Sequence, residues 1–187
     1  MNAIILHGKP SKERFFDPNF PASSNYYWLP WLQKQLIVNG IPTAAPEVPN
    51  NYVADYQTWL KEFERYDVSS DTILVGHSCG GGFMLRWLSE NKDIKAYKVV
   101  LAAPWLNPKN LEETGDFFDF ELDPSLMDRI KSLAILYADD DEESIADTIT
   151  VLKDKLTGAK FRLLPGYGHF YDDRRMQFPE LLEEILK

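Results

Sequence analysis

Five short apolar runs, AIILH (3–7), TILVGH (72–77), YKVVLAA (97–103), LAILYA (133–138) and KFRLLP (160–165), alternate with longer stretches of helical periodicity. Near-continuous apolar strands separated by helices belong to a parallel sheet covered on both faces, because each parallel connection must cross over and buries the strand it leaves. The expected architecture is therefore α/β: a three-layer sandwich with a mostly parallel central sheet, in a single domain spanning 1–187. A sixth strand, TAAPE (43–47), is expected at an edge or strand end, since its proline cannot donate to a ladder.

The helical stretches are 26–40, 53–66, 80–92, 142–158 and 178–187. Gly40 and Gly158 stand where C-cap glycines belong, and Ser23 or Asn25 is placed to cap the first helix. Two connections are long, 7–25 and 104–125, and both carry aromatics, a pattern more often functional than accidental.

Within GHSCG (76–80), Ser78 stands between two glycines, directly after a strand and directly before a helix. A sharp strand-to-helix turn would strain the serine and expose its hydroxyl, while the helix N-terminus would offer the Cys79 amide to a developing oxyanion. The competing reading is that Ser78 is merely an N-cap.

Three histidines are candidates for a base. His77 should point away from the exposed hydroxyl and pack near the core, and His7, at the end of the first strand, suits a turn better than proton transfer. His169, in PGYGHFYD just past the last strand, lies where open α/β sheets place their active sites. It is the expected base. An acid should orient that imidazole, and DDDEES offers Asp139, Asp140 and Asp141 at the correct end of a strand. Most of that cluster is expected to be solvated charge, with one member reaching His169; the residues alone do not choose among them. For a second oxyanion donor the Lys9 amide is expected, because Gly8 lets the chain turn tightly after the first strand. The Lys9 side chain is expected to be solvated.

The early HG, WLPWLQKQL, APEVPN, YQTWL, GHSCGG, YADDDEES and GHF together resemble the small single-domain serine hydrolases that include retinoblastoma-binding protein nine. The resemblance implies an α/β-hydrolase fold with a minimal lid and a Ser–Asp–His triad. It implies Ser78 as nucleophile, His169 as base and Asp141 as acid, with Asp140 the neighbouring register. It also implies an acyl-enzyme route to cleavage of carboxylic esters, or of amides or thioesters. The chain departs from the family in its longer loop after HG, whose KERFF segment places Phe15 and Phe16 to narrow the entrance. Trp105, Phe117 and Phe118 stand where lid elements grow, and are expected either to line an apolar acyl site or to fill the core.

A formal charge of -9 and the lack of any Lys/Arg cluster argue against a nucleic-acid partner. No segment approaches the roughly 20 apolar residues of a membrane span. Cys79 is the sole cysteine, so no internal disulfide forms, and AIIL is too short for a signal core; a cytoplasmic location is expected. No metal or organic cofactor is expected, and the partner is a small ester or acyl substrate. A protein-binding module with an idle hydrolase site is the alternative, and a phosphate-binding protein is disfavoured because no Walker lysine follows GHSCGGG.

Overall fold

The computed structural model describes residues 1–110, 112–171 and 176–187. Its strands are β1 (Asn2–Leu6), β2 (Thr43–Ala44), β3 (Thr72–His77), β4 (Ala96–Ala102), β5 (Ile130–Tyr137) and β6 (Lys160–Leu163). They form one sheet in the order β2-β1-β3-β4-β5-β6, and every pairing is parallel. The central strands are largely buried, β3 at all of its positions and β4 at all but Tyr97, which is why they read as unbroken apolar runs.

The helices are α1 (Lys12–Phe16), α2 (Leu29–Val38), α3 (Tyr56–Phe63), α4 (Cys79–Glu90), α5 (Glu143–Lys155) and α6 (Pro179–Leu186). Helices α2 and α6 pack on one another, α2 against β1 and β2 and α6 against β4; α3 and α4 form a second pair, with α4 on β3. This is the α/β-hydrolase sandwich. Between α3 and α4 the core is an aromatic cluster of Trp59, Phe63, Phe83 and Phe117, all fully buried. Each such side chain contributes about 1.5 to 3 kcal/mol of burial free energy.

Several boundaries differ from the sequence reading. Helix α2 starts at Leu29 rather than 26, and Ser23 and Asn25 do not cap it: they form a separate 3₁₀ turn, and the α2 N-cap position is Trp28, which makes no side-chain cap. Helix α3 starts at its own cap, Asp55, whose carboxylate accepts the Thr58 amide, so 53–55 precede it. Strand β2 is shorter than 43–47, ending before Pro46 as the missing donor requires. Gly40 and Gly158 do adopt left-handed backbone, φ 78° and 98°, beyond α2 and α5.

The 7–25 connection is not a plain loop. It contains α1, capped by the Ser11 hydroxyl on the Arg14 amide, and that short helix forms one wall of the site. The connection from β4 to β5 holds one 3₁₀ turn, Pro124–Asp128, among its described residues. The covering over the site is accordingly minimal. Among the described residues no helix is long and apolar enough to cross a membrane.

Candidate active site

The β3–α4 junction is shaped by its glycines. A Cβ on Gly80 would fall 2.3 Å from the His7 carbonyl oxygen, and one on Gly76 would fall 2.7 Å from the Gly81 Cα. Only glycine allows α4 to start this close to β1 and β3. Ser78 sits at the apex with φ 51° and ψ −122°, a region that costs a side-chain-bearing residue roughly 1–3 kcal/mol. The surroundings hold it there: its amide donates to the Ala102 carbonyl at 3.0 Å, and its carbonyl accepts from the Gly82 and Trp105 amides, both at 3.1 Å.

Ser78 occupies the N-cap position of α4 but makes no side-chain cap. Its Oγ instead lies 2.8 Å from His169 Nε2, and His169 Nδ1 lies 2.8 Å from Asp141 Oδ1. The carboxylate can only accept when ionised, so Nδ1 carries the proton and Nε2 is free to accept one from the serine. Asp141 is held by the Glu142 amide, which donates to the same oxygen at 2.7 Å. Side-chain exposure falls to 9% at His169 and 2% at Asp141, so the pair is sheltered from water that would weaken it.

The acidic cluster is not mainly solvated charge. Asp139 accepts the Gly166 amide at 2.9 Å, Asp140 accepts the Gly168 amide at 2.8 Å, and Asp141 takes His169. Three consecutive carboxylates after β5 thus grip one turn after β6. The extended neighbours are bound although Asp139 and Asp140 remain exposed, because backbone amides of a turn lack partners of their own and an ionised acceptor is a strong one.

The other two histidines position backbone. His77 Nε2 donates to the His169 carbonyl at 2.9 Å, with Trp28 edge-on to its ring. Burial, and then the neighbouring His169, pushes its pKa down to about 3, so it stays neutral. His7 donates from Nδ1 to the Gly8 carbonyl at 2.8 Å and accepts the Val48 amide on Nε2 at 3.1 Å. Burial lowers its pKa as well, against the pull of Glu47. Because the Gly8–Lys9 peptide is trans, holding its carbonyl on His7 turns the Lys9 N–H the opposite way. Gly8 itself lies against the serine, where an added Cβ would be 3.1 Å from Ser78 Cβ. Among the described residues neither the Lys9 amide nor the Cys79 amide has an acceptor. The Lys9 side chain is not simply solvated: it is 19% exposed, and its Nζ is 3.6 Å from Glu112.

A cavity of about 520 Å³ opens beside Ser78 and His169. Trp105 and Phe15 line it, as expected from the sequence. Phe117 does not: it is fully buried against Trp59 and Phe118. Phe118 borders a separate hollow instead, and Phe16 points outward at 62% exposure beside Tyr52. Sequence reasoning missed Arg14, Tyr27 and Tyr171 on the cavity wall. The only signal for Arg14 was the Ser11 cap ahead of it. The Cys79 thiol is buried and pushed well up by desolvation, so it is inert. Among the described residues no group of three His, Cys, Asp or Glu side chains is arranged to hold a metal.

A family model described as serine aminopeptidase, S33, matches residues 44–145. YdeN of Bacillus subtilis strain 168 is 23% identical over 181 residues, covering 94% of this chain and 95% of its own length. The crystal structure of the B. subtilis ydeN gene product superposes with a TM-score of 0.78 at 22% identity, covering 99% of this chain and 96% of that one. Est1E from Butyrivibrio proteoclasticus gives 0.63 at 16% identity, with 98% and 86% covered. The monoacylglycerol lipase of Paleococcus ferrophilus gives 0.61 at 16%, with 98% and 92% covered.

Proposed function

The chain belongs to the serine aminopeptidase S33 family of α/β hydrolases, and from that footing we propose that it cleaves carboxylic esters through an acyl-enzyme formed on Ser78. The observation that carries this reading is the relay of 2.8 Å contacts from Ser78 Oγ to His169 and on to Asp141, at the mouth of a cavity with both aromatic and charged walls.

His169 Nε2 takes the hydroxyl proton as Ser78 Oγ attacks the carbonyl carbon, and the imidazolium is stabilised by ionised Asp141. The Cys79 and Lys9 amides receive the oxyanion, such a donor being worth about 3 to 4 kcal/mol. The imidazolium protonates the leaving alcohol as the carbon–oxygen bond breaks. Water then repeats the sequence on the acyl-enzyme, releasing the acid and regenerating Ser78. Thioesters and amides would follow the same path, amides more slowly because the amine leaves less readily.

The nearer kinship with hydrolases like retinoblastoma-binding protein nine is part of this proposal, supported by GHSCGG, YADDD and GHF. So are a single domain, a cytoplasmic location and operation without a cofactor.

Hydrolysis of short-chain p-nitrophenyl esters by the protein and by Ser78→Ala, with fluorophosphonate labelling of both, tests the proposal. Removal of a triad nucleophile should cost a factor of ~10⁴ or more in turnover, and the label should disappear with it. Equal turnover in the two proteins would remove Ser78 from the role, and a wild type that neither turns over nor takes the label would favour a binding module.

A further inference from the structure

Resting on the reading of Ser78 as nucleophile, we propose that Arg14 is a specificity subsite which selects substrates bearing a carboxylate. Five Lys, Arg and Glu side chains line the cavity: Lys9, Arg14, Glu47, Glu112 and Glu142. Four of them are engaged by other groups of the protein. Glu47 accepts the Ser23 and Ser24 amides and the Asn51 amide group, Lys9 pairs with Glu112, and Glu142 accepts the Tyr171 hydroxyl. Among the described residues Arg14 pairs with no carboxylate: its Nη1 donates at 2.8 Å to the Tyr27 hydroxyl.

Every other described arginine pairs with a carboxylate: Arg65 with Glu62, Arg86 with Glu90, Arg129 with Asp123 and Arg162 with Glu183. A guanidinium has five N–H donors in a planar fork that matches a carboxylate in two parallel bonds. Here three aromatic rings and the Tyr27 hydroxyl fix its position. Its carbon lies 4.8 Å from the Phe20 ring centroid and 5.9 Å from those of Tyr27 and Tyr171. The backbone beneath it is held by the Ser11 cap and by Phe15 and Phe16 packed against Tyr52. An arginine placed in this way loses little side-chain entropy when an anion arrives, and the aromatic rings reduce its competition with water.

The three carboxylates on the same cavity oppose a multiply charged group, so a single carboxylate fits better than a phosphate dianion. The selected substrate is then a half-ester of a short dicarboxylic acid or an ester of similar length, with its reacting carbonyl at Ser78 and its free carboxylate on Arg14.

The test compares 4-nitrophenyl hydrogen glutarate with its methyl-capped counterpart, 4-nitrophenyl methyl glutarate, which differs only in the charge. Wild type should prefer the charged ester by ~10-fold or more in kcat/KM, the scale of a charge-assisted hydrogen-bonded pair. Arg14→Gln should lose ~10- to 100-fold on the charged ester, mainly in KM, and stay within about threefold on the capped one. Arg14→Lys should recover part of the loss. No preference in wild type, or equal losses on both esters in Arg14→Gln, would overturn the proposal. A second arm is independent of turnover: monomethyl glutarate is titrated by calorimetry into Ser78→Ala and into Ser78→Ala combined with Arg14→Gln. Weaker binding in the double variant supports the subsite, and equal binding overturns it. A wild type inactive on both esters would strike the Ser78 reading, and this binding comparison would still decide Arg14.

Discussion

His77 donates its Nε2 hydrogen to the main-chain carbonyl of His169 across 2.9 Å, so the residue beside the serine in the chain carries the loop that faces it. His77→Phe keeps an aromatic ring against Trp28 but removes the donor. The loop should then drift by a fraction of an ångström, and positioning errors of that size cost up to ~10²-fold. We expect kcat to fall by ~10-fold or more with KM little changed. Steady-state kinetics on a p-nitrophenyl ester check this, and an unchanged kcat would assign His77 to packing alone.

The same residue makes stability acid-sensitive. Its folded pKa is about 3 against an ordinary 6.5, so below 6.5 the unfolded chain binds a proton that the folded one refuses. Stability therefore rises with pH between about 3 and 6.5 and is fully present above that window. His7 is shifted in the same direction and adds to it. At pH 5 the His77 contribution should be about 2 kcal/mol less than at pH 8. Urea unfolding at the two pH values measures it, and His77→Phe should shrink the difference; an equal difference in both proteins would refute the assignment.

Asp141, Asp140 and Asp139 can be separated by replacing each with asparagine. Asp141→Asn should lower kcat by ~10³- to 10⁴-fold, since the amide favours the wrong imidazole tautomer. Asp140→Asn and Asp139→Asn keep an oxygen for the Gly168 and Gly166 amides and should remain within about tenfold of wild type. If Asp140→Asn were the inactive one, the register of the acid would move by one residue.

His7 bears on the second oxyanion donor. His7→Leu frees the Gly8 carbonyl and so the orientation of the Lys9 amide, and one mispointed donor typically costs ~10²-fold in kcat. Stopped-flow measurement should place the loss in both acylation and deacylation, because both pass through a tetrahedral oxyanion. A slowed step on one side only would point to a different role.

The sheet was legible because parallel strands buried on both faces leave unbroken apolar runs, and the elbow because GHSCG packs two close-approach glycines around one serine. The third element, His169, followed from its place after the last strand. What stayed hidden has a common cause. Whether DDDEES is surface charge or a clamp depends on unpaired amides in a turn 27 or 28 residues away, which no local pattern encodes. Helix α1 is only five residues long and buries none of them, so it leaves no periodic trace. Phe117 and Trp105 lie in one connection, yet one fills the core and the other borders the cavity; that division is decided by tertiary packing against Trp59, not by either residue's neighbours.

Strand β6 is four residues long, mostly uncovered, and paired with β5 alone. It is the margin of the sheet, and margins open at lower free energy than the centre where β3 and β4 lie. His169 hangs from that margin while Ser78 is rooted in the middle. The relay therefore spans the middle and one margin of the sheet, fastened across them by the aspartate clamp. Amide protons around the serine should outlast those around the histidine in exchange with solvent, and heat or denaturant should extinguish turnover while the aromatic cluster under α4 still fluoresces as folded.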